Sequence, residues 1–185
     1  MERLDPSSSL LLLVDLQERL VAAMPQPQRD RAIGSAALLI EAARTLGVPV
    51  VVTEQYRKGL GPTVPELAVE LTGLGVEPID KLTFDATSEP RVMGAIGRCA
   101  PRTVVVAGVE AHVCVFFTAR ELVRRGYTVY VVSDAVASRR EDHRVGGLAL
   151  CDRAGAVTTV AETVVFDWLA RAGTDAFRAL SRRLR

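Results

Sequence analysis

The chain has 185 residues, with 23 basic and 22 acidic side chains and a formal net charge of +1. This length suits one domain with a substantial core, and we expect a single domain over residues 1–185. A near-neutral charge without a basic run gives no electrostatic reason to expect nucleic acid or a membrane surface as partner. Three cysteines without metal-ligand spacing argue against a disulfide framework or a zinc finger.

The first apolar run covers residues 10–14 and is ended by Asp15. It is too short for a membrane-spanning helix and lacks the small-residue cleavage site of a signal peptide. We therefore expect the protein to be cytoplasmic.

Short runs rich in valine and leucine alternate with longer helical patterns along the whole chain. This alternation is typical of βα units and predicts an α/β fold in three layers, with helices on both faces of a mainly parallel sheet. The six predicted strands cover residues 10–14, 49–53, 76–79, 103–107, 128–133 and 156–160.

Helical patterns lie between these strands. The main predicted helices cover residues 30–46, 88–100 and 112–125. Ser138 and Glu141 have the spacing of a capping box and predict the start of a further helix. Residues 57–65, RKGLGPTVP, form the most irregular segment and follow the second strand, at the edge where such folds bind ligands.

Chemically active residues follow the predicted strands. In an open parallel sheet the carboxyl ends of the strands meet at one edge, where ligands bind. The residues delivered there are Asp15, then Glu54, Gln55 and Tyr56, then Asp80 and Lys81, then Cys114, and Asp134. An acid, a lysine and a cysteine at one edge fit a nucleophile with a base and a cation that favours its thiolate. A position in the first turn of a helix would favour the thiolate further.

Each of these residues also has a simpler interpretation. Cys114 suits a buried core position, because free cysteine is among the most buried residue types. Asp15 suits a helix cap, Lys81 an exposed charge, and Asp134 a turn or a supporting role.

The two histidines, His112 and His143, complete the candidates. His112 precedes Cys114 by two residues, so on a helix the two side chains diverge by roughly 200 degrees and form no Cys–His dyad. His143 falls on a polar helix face, where we expect it to be solvated.

Three motifs in order resemble those of the isochorismatase-like cysteine hydrolases, over nearly the whole chain. LLLVDLQ resembles the family's first strand with its acid, IDKLTF the segment with its lysine, and GVEAHVC the segment with its nucleophile. The stretches EQYRKGLGPTVPEL and GVEAHVCVFFTARELVRRGYTVYVVSDAVASR look especially like the small single-domain branch of the family.

The resemblance implies a Rossmann-like isochorismatase fold and a catalytic triad of Asp15, Lys81 and Cys114. It also implies a cis peptide bond between Val109 and Glu110, with backbone N–H groups there and at Cys114 as an oxyanion hole. A homo-oligomer is implied as well. The substrate-binding residues that we expect are Leu16, Gln17, Leu20, Gln55, Tyr56, Phe84, His112 and Val115.

Metal-dependent nicotinamidases of this family carry an Asp-x-His pair after the second strand and a further histidine. The corresponding stretch here, TEQYRKG, contains no histidine. We therefore expect no bound metal and no cofactor.

These residues predict hydrolysis of a C–N bond in a small amide, imide or carbamoyl compound through a thioester. Two alternatives stay open. One is a family member that only binds a small molecule or serves as an oligomeric scaffold; the other is an isochorismatase-type vinyl-ether hydrolase, which need not use a thiol. A dinucleotide-binding protein would need a glycine-rich turn after the first strand, and VDLQERL has none.

Overall fold

The computed structural model describes residues 3–184, which fold around one parallel sheet. The strands are β1 (Ser9–Val14), β2 (Val50–Gln55), β3 (Ile79–Lys81), β4 (Thr103–Val109), β5 (Thr128–Ala137) and β6 (Val157–Thr159). Their order across the sheet is β3-β2-β1-β4-β5-β6. All neighbouring strands are parallel, and the order reverses between β1 and β4. The carboxyl ends of β1 and β4 therefore form the crevice where open α/β sheets bind ligands.

Helices cover both faces of the sheet, which confirms the predicted three-layer architecture. They are α1 (Glu18–Ala22), α2 (Gln26–Leu46), α3 (Arg57–Leu60), α4 (Pro65–Gly73), α5 (Pro90–Cys99), α6 (Phe116–Arg124), α7 (Glu141–Arg153), α8 (Ala161–Leu169) and α9 (Asp175–Leu180). Helices α2, α4 and α8 pack in one apolar cluster, and α5, α6 and α7 pack in a second one on the opposite face. Within residues 3–184, no helix is both long enough and apolar enough to cross a membrane.

The leucine run of β1 explains why this strand lies in the centre of the sheet. Leu11 and Leu13 belong to the first cluster, whereas Leu10, Leu12 and Val14 belong to the second. A strand buried on both faces needs a continuous apolar run rather than an alternating one.

The third strand differs from its prediction. The sequence predicted residues 76–79, but β3 contains Ile79, Asp80 and Lys81. It pairs only with β2 and lies at an edge of the sheet, where charged side chains are tolerated. Strands β2 and β5 also extend beyond their predicted ends, to Gln55 and Ala137.

Gly108 brings the end of β4 close to the end of β1. Its φ is +139°, and a Cβ built there would lie 2.0 Å from the carbonyl oxygen of Val14. Only glycine fits this position without moving the backbone. The pairing of β4 with β5 also shifts register between Val106 and Gly108.

The opposite end of β1 contacts the last part of the chain. Trp168 in α8 is buried, and its indole Nε1–H donates to Ser9 Oγ at 3.1 Å. The bond anchors α8 to the first residue of the central strand.

Candidate active site

Asp15 follows β1 directly and is held from both sides. Its Oδ2 accepts a hydrogen bond from Lys81 Nζ at 2.7 Å, and its Oδ1 accepts one from Thr53 Oγ1 at 2.7 Å. The side chains of Asp15 and Lys81 are both 0% exposed, so this ion pair lies wholly inside the protein. Asp15 also has a φ of +55°, in the left-handed region that aspartate tolerates better than most residues.

Lys81 ends β3, and its ammonium group has three acceptors. Besides Asp15, Nζ donates to Gln55 Oε1 at 2.7 Å and to the carbonyl oxygen of Thr83 at 3.0 Å. An ammonium group has three protons, so all of its donors are used. The interpretation of Lys81 as an exposed surface charge is therefore wrong.

Cys114 lies in a π-helical turn, Ala111–Val115, that precedes α6. Cys114 is 6% exposed, and its thiol lies next to the carboxylate of Asp15. Burial and, after it, the negative charge of Asp15 raise the pKa of Cys114 to about 12, although the positive charge of Lys81 acts in the opposite direction. Burial and the neighbouring carboxylate therefore favour the neutral thiol over the thiolate.

This neutral thiol corrects the expectation of a thiolate. The sequence placed Cys114 in the first turn of an α-helix, but the helix proper begins at Phe116. Lys81 lowers the thiol pKa less than burial raises it. The structure does bring Asp15, Lys81 and Cys114 together, and Asp15 affects the thiol pKa more strongly than Lys81 does.

The segment before Cys114 is tied to the end of β5. The peptide bond between Val109 and Glu110 is cis. The Glu110 carboxylate accepts hydrogen bonds from Arg139, one from the backbone N–H at 2.9 Å and one from Nε at 3.1 Å. The N–H of Ala111 donates to Ser138 Oγ at 3.1 Å, so Ser138 holds this backbone.

The two histidines pack against each other. Their ring centroids are 4.5 Å apart, and His112 Nδ1 lies 3.1 Å from Ser138 Oγ. The expectation of a solvated His143 is therefore wrong, because its Nδ1 is buried and has no hydrogen-bond partner. The predicted capping box is also wrong. The cap of α7 is Arg140, and the Ser138 hydroxyl bonds the segment before Cys114 instead.

The predicted substrate-binding residues fall into three groups. Leu16 and Val115 are fully buried in the two apolar clusters, and Leu20 packs against the first of them, so these three side chains contribute mainly to the core. Tyr56 follows β2 and is 50% exposed, and Phe84 follows β3 and is 56% exposed. Leu82, directly after β3, is exposed at the same edge of the sheet. His112 is half-buried beside Ser138.

Gln17 and Gln55 form an amide pair inside the site. Gln17 Oε1 accepts from the Gln55 N–H at 2.6 Å, and Gln17 Nε2 donates to the carbonyl oxygens of Gln55 at 3.0 Å and Gly61 at 2.6 Å. Gln55 Nε2 donates to the carbonyl oxygen of Leu82 at 2.9 Å. These amides bond the protein itself, which the sequence did not reveal.

Glu54 and Asp134 have structural partners. Glu54 Oε1 accepts from the N–H and hydroxyl of Thr63 at 2.7 and 2.8 Å, and its Oε2 pairs with Arg57 Nη1 at 2.6 Å. Residues 57–65, which were predicted to be irregular, are thus held in place by Glu54, and their first residues form α3. Asp134 lies within β5 and accepts from Ser35 Oγ and from the Ala161 N–H.

The sequence did not indicate that Thr53 and Ser138 belong to this site. Thr53 bonds Asp15, and Ser138 bonds the backbone of Ala111. Thr53 lies in β2 next to Glu54, and Ser138 directly follows β5. The position of Thr53 before Glu54 was a usable signal, since the parallel register of β1 and β2 places it opposite Val14.

A family model described as the isochorismatase domain matches residues 9–162. The chain belongs to the isochorismatase family. Isochorismatase domain-containing protein 2 of Danio rerio is 35% identical over 182 residues, which cover 98% of this chain and 89% of that protein. The predicted family and fold are therefore confirmed.

Solved structures of isochorismatase-fold proteins superpose closely on this chain. The MAR1 ribonuclease from Caenorhabditis elegans has a TM-score of 0.91 at 33% identity, covering 99% of this chain and 92% of that chain. YcaC from Escherichia coli, an octameric hydrolase of unknown specificity, has a TM-score of 0.90 at 24% identity, covering 99% and 91%. The chain therefore has the fold of a hydrolase family.

Proposed function

We propose that this isochorismatase-family chain is a cysteine hydrolase that cleaves a C–N bond in a small amide, imide or carbamoyl compound. One observation carries the proposal. A buried thiol lies next to a carboxylate, and that carboxylate is paired with a buried lysine. A nucleophile, a base in hydrogen-bonding contact with it and a third group that orients the base are the parts that nucleophilic catalysis requires.

The reaction follows from these contacts. Asp15 takes the thiol proton as the sulfur of Cys114 attacks the carbonyl carbon, and the protonated Asp15 then gives this proton to the leaving nitrogen. The C–N bond breaks, and the amine or ammonia leaves a thioester on Cys114. Asp15 next takes a proton from water, whose oxygen attacks the thioester, and returns that proton to the departing sulfur. The sum is hydrolysis of the amide to an acid and an amine.

Lys81 and the backbone stabilise the charges that arise on this route. Lys81 orients the Asp15 carboxylate before the thiol proton moves. We assign the oxyanion hole to the backbone N–H groups of Glu110 and Cys114, at the cis bond that follows Val109. The N–H of Ala111 is not part of this assignment, because it donates to Ser138.

A binder or scaffold would not need this arrangement. Burying an ion pair costs desolvation free energy, and Asp15 also has a left-handed backbone conformation that costs of order 1–3 kcal/mol. A vinyl-ether hydrolase, the other alternative, gains nothing from a thiol in contact with the base. Both therefore fit the site less well than amide hydrolysis.

The partners proposed are a small-molecule substrate and further copies of this chain, in line with the octameric YcaC. We propose no metal and no nucleic acid as partner, and a cytoplasmic location. The net charge of +1 gives no electrostatic reason to expect RNA as partner, although the similar Caenorhabditis elegans protein is described as a ribonuclease.

A hydrolysis screen tests the function. Small amides, ureas and imides are incubated with the protein, and released ammonia or amine is measured. Cys114→Ala serves as the blank and Cys99→Ala as the matched control, because Cys99 is exposed at the end of α5. We expect turnover that Cys99→Ala retains and Cys114→Ala loses. Turnover that survives Cys114→Ala, or cleavage of RNA alone, would contradict the proposal.

A further inference from the structure

The ammonium group of Lys81 is bound in a way that leaves no proton for the sulfur of Cys114. Its three donors go to Asp15 Oδ2 at 2.7 Å, Gln55 Oε1 at 2.7 Å and the carbonyl oxygen of Thr83 at 3.0 Å. The side chain is fully buried, so no water competes for these donors. If one acceptor were removed, one N–H would have to find another partner.

Gln55 is the one neutral side chain among these three acceptors. Its amide orientation is determined by its contacts, because Nε2 faces the carbonyl oxygen of Leu82 at 2.9 Å while Oε1 faces the ammonium group. The reverse orientation would place donor against donor and acceptor against acceptor. Gln17 in turn bonds both backbone groups of Gln55 and is itself fully buried.

We propose that Gln55 is a positioning residue that holds Lys81 on Asp15 and away from the sulfur of Cys114. In the free enzyme the carboxylate of Asp15, rather than the ammonium group of Lys81, then acts on the thiol, and Gln17 fixes the backbone from which Gln55 acts. This inference rests on the proposed function, because it defines the resting state of that site. It replaces the prediction that Gln17 and Gln55 bind the substrate.

The charged groups that act on the thiol are Asp15, Lys81 and Glu110. Asp15 and Glu110 favour the protonated form, and Lys81 opposes them. The carboxylate of Glu110 is paired with Arg139 and stays so in the variants used below. A change in the position of Lys81 is therefore the expected cause of any change in thiol ionisation.

Alkylation of Cys114 by iodoacetamide tests the proposal without a substrate. Rates are measured by mass spectrometry from about pH 6 to about pH 10, a range that spans the ordinary thiol pKa of about 8.5. All proteins carry Cys99→Ser, which removes the exposed thiol, whereas Cys151 remains as a buried reporter of structural opening. Gln55→Met removes the acceptor of Lys81, and Gln55→Glu keeps one.

In Gln55→Met we expect the freed N–H of Lys81 to turn to the sulfur. Alkylation of Cys114 at neutral pH should then rise by about tenfold or more, which corresponds to a thiol pKa lower by about one unit. Gln55→Glu should alkylate no faster than the parent protein, because it still binds Lys81 and adds a negative charge. With any substrate found, Gln55→Met should lower kcat and leave KM unchanged.

Three alkylation results would overturn the inference. They are a parent-like alkylation profile in Gln55→Met, labelling of Cys151 that rises together with Cys114, and faster alkylation in Gln55→Glu. Faster alkylation in Gln55→Glu would overturn the inference even if Gln55→Met does not fold. A raised KM with unchanged kcat in either variant would assign Gln55 to substrate binding instead. Failure of the hydrolysis screen is separate, because it changes none of these alkylation rates.

Discussion

Thr53 donates a hydrogen bond to the oxygen of Asp15 that Lys81 does not contact. The distance from Thr53 Oγ1 to Asp15 Oδ1 is 2.7 Å, and both residues are fully buried. Thr53 lies in β2 opposite Val14, the last residue of β1 before Asp15, so the pairing of the two strands places Thr53 and Asp15 together. The carboxylate is thereby fixed before any proton moves.

Removing this hydroxyl should destabilise the protein. Thr53→Val keeps the shape and removes a hydrogen bond to a buried charge, so we expect the free energy of unfolding to fall by about 1.5–3 kcal/mol. Urea unfolding measures it. Thr45→Val is the matched control, because Thr45 is an exposed threonine that donates only to the carbonyl oxygen of Glu41. Equal effects in the two variants would contradict the role of Thr53.

Lys81→Met should be among the most damaging single substitutions in the chain. It leaves the Asp15 carboxylate buried without its cationic partner, at a cost of about 3–5 kcal/mol. Adding Asp15→Asn should recover part of that loss, which a double-mutant cycle in urea measures. Strictly additive free energies would show that the two side chains do not interact.

Lys81→Arg should lose nearly as much turnover as Lys81→Met. A planar guanidinium is wider than an ammonium group and does not fit the three acceptors in a fully buried site. Lys58 is the other lysine of the chain and is exposed, so Lys58→Arg should leave turnover unchanged. Near-normal turnover in Lys81→Arg would mean that a positive charge suffices.

Gly146 and Gly147 are adjacent in α7, and replacing each with alanine should have opposite effects on the free energy of unfolding. A Cβ at Gly147 would lie 2.6 Å from the backbone of Ala111 and His112, whereas Gly146 has no atom within 4 Å. Gly147→Ala should cost about 1–3 kcal/mol and lower turnover, because it displaces the turn that carries Cys114. Gly146→Ala should stabilise α7 by about 0.5–1 kcal/mol. Urea unfolding and turnover of both variants decide it.

The histidine pair predicts sensitivity to acid. Burial lowers the pKa of His112, the Glu110 carboxylate opposes this shift, and His143 adds to it; Arg139 and Asp142 act more weakly. A folded-state pKa below the unfolded value means that the unfolded chain binds more protons. The free energy of unfolding should therefore fall as the pH drops below about 6.5.

Removing the second ring should reduce this acid sensitivity. His143→Phe keeps the ring contact and removes the neighbour that lowers the pKa of His112, so the loss of stability between about pH 7.5 and about pH 5 should become smaller. Urea midpoints at several pH values measure the difference. The same loss in both proteins would assign the acid sensitivity to other groups.

Chelation should leave turnover intact. Glu54, the one acid of TEQYRKG, already accepts hydrogen bonds from Thr63 and pairs with Arg57. Among residues 3–184, no three histidine, cysteine or acidic side chains converge as metal ligands. Turnover before and after EDTA, with elemental analysis, tests this. One equivalent of zinc whose removal abolishes activity and whose return restores it would contradict the prediction.

Much of the fold follows from local patterns in the sequence. The apolar runs of β1 and β4 predicted the centre of a parallel sheet, because a strand buried on both faces has no polar alternation. The position of β3 was less predictable. Its Asp80 and Lys81 break the apolar pattern, and only pairing with β2 makes them part of a strand.

The site was predictable in part for the same reason. Strand ends indicated that Asp15, Lys81 and Cys114 lie close together, whereas the pKa of the thiol depends on burial that only the packed structure defines. Ser138 and His143 show the limit most clearly. Local spacing assigned the first to a helix cap and the second to solvent, yet each contacts the segment around His112, which is distant in the sequence.

The hydrogen bond between Trp168 and Ser9 determines what fluorescence can report. Trp168 is the only tryptophan of the chain. It packs at the first residue of β1, about 20 Å along that six-residue strand from Asp15. Its emission should change when α8 leaves the sheet and not when a small molecule reaches Cys114. The same signal can therefore follow unfolding with substrate present, and a shift at constant stability would indicate that ligand binding rearranges the sheet from one end to the other.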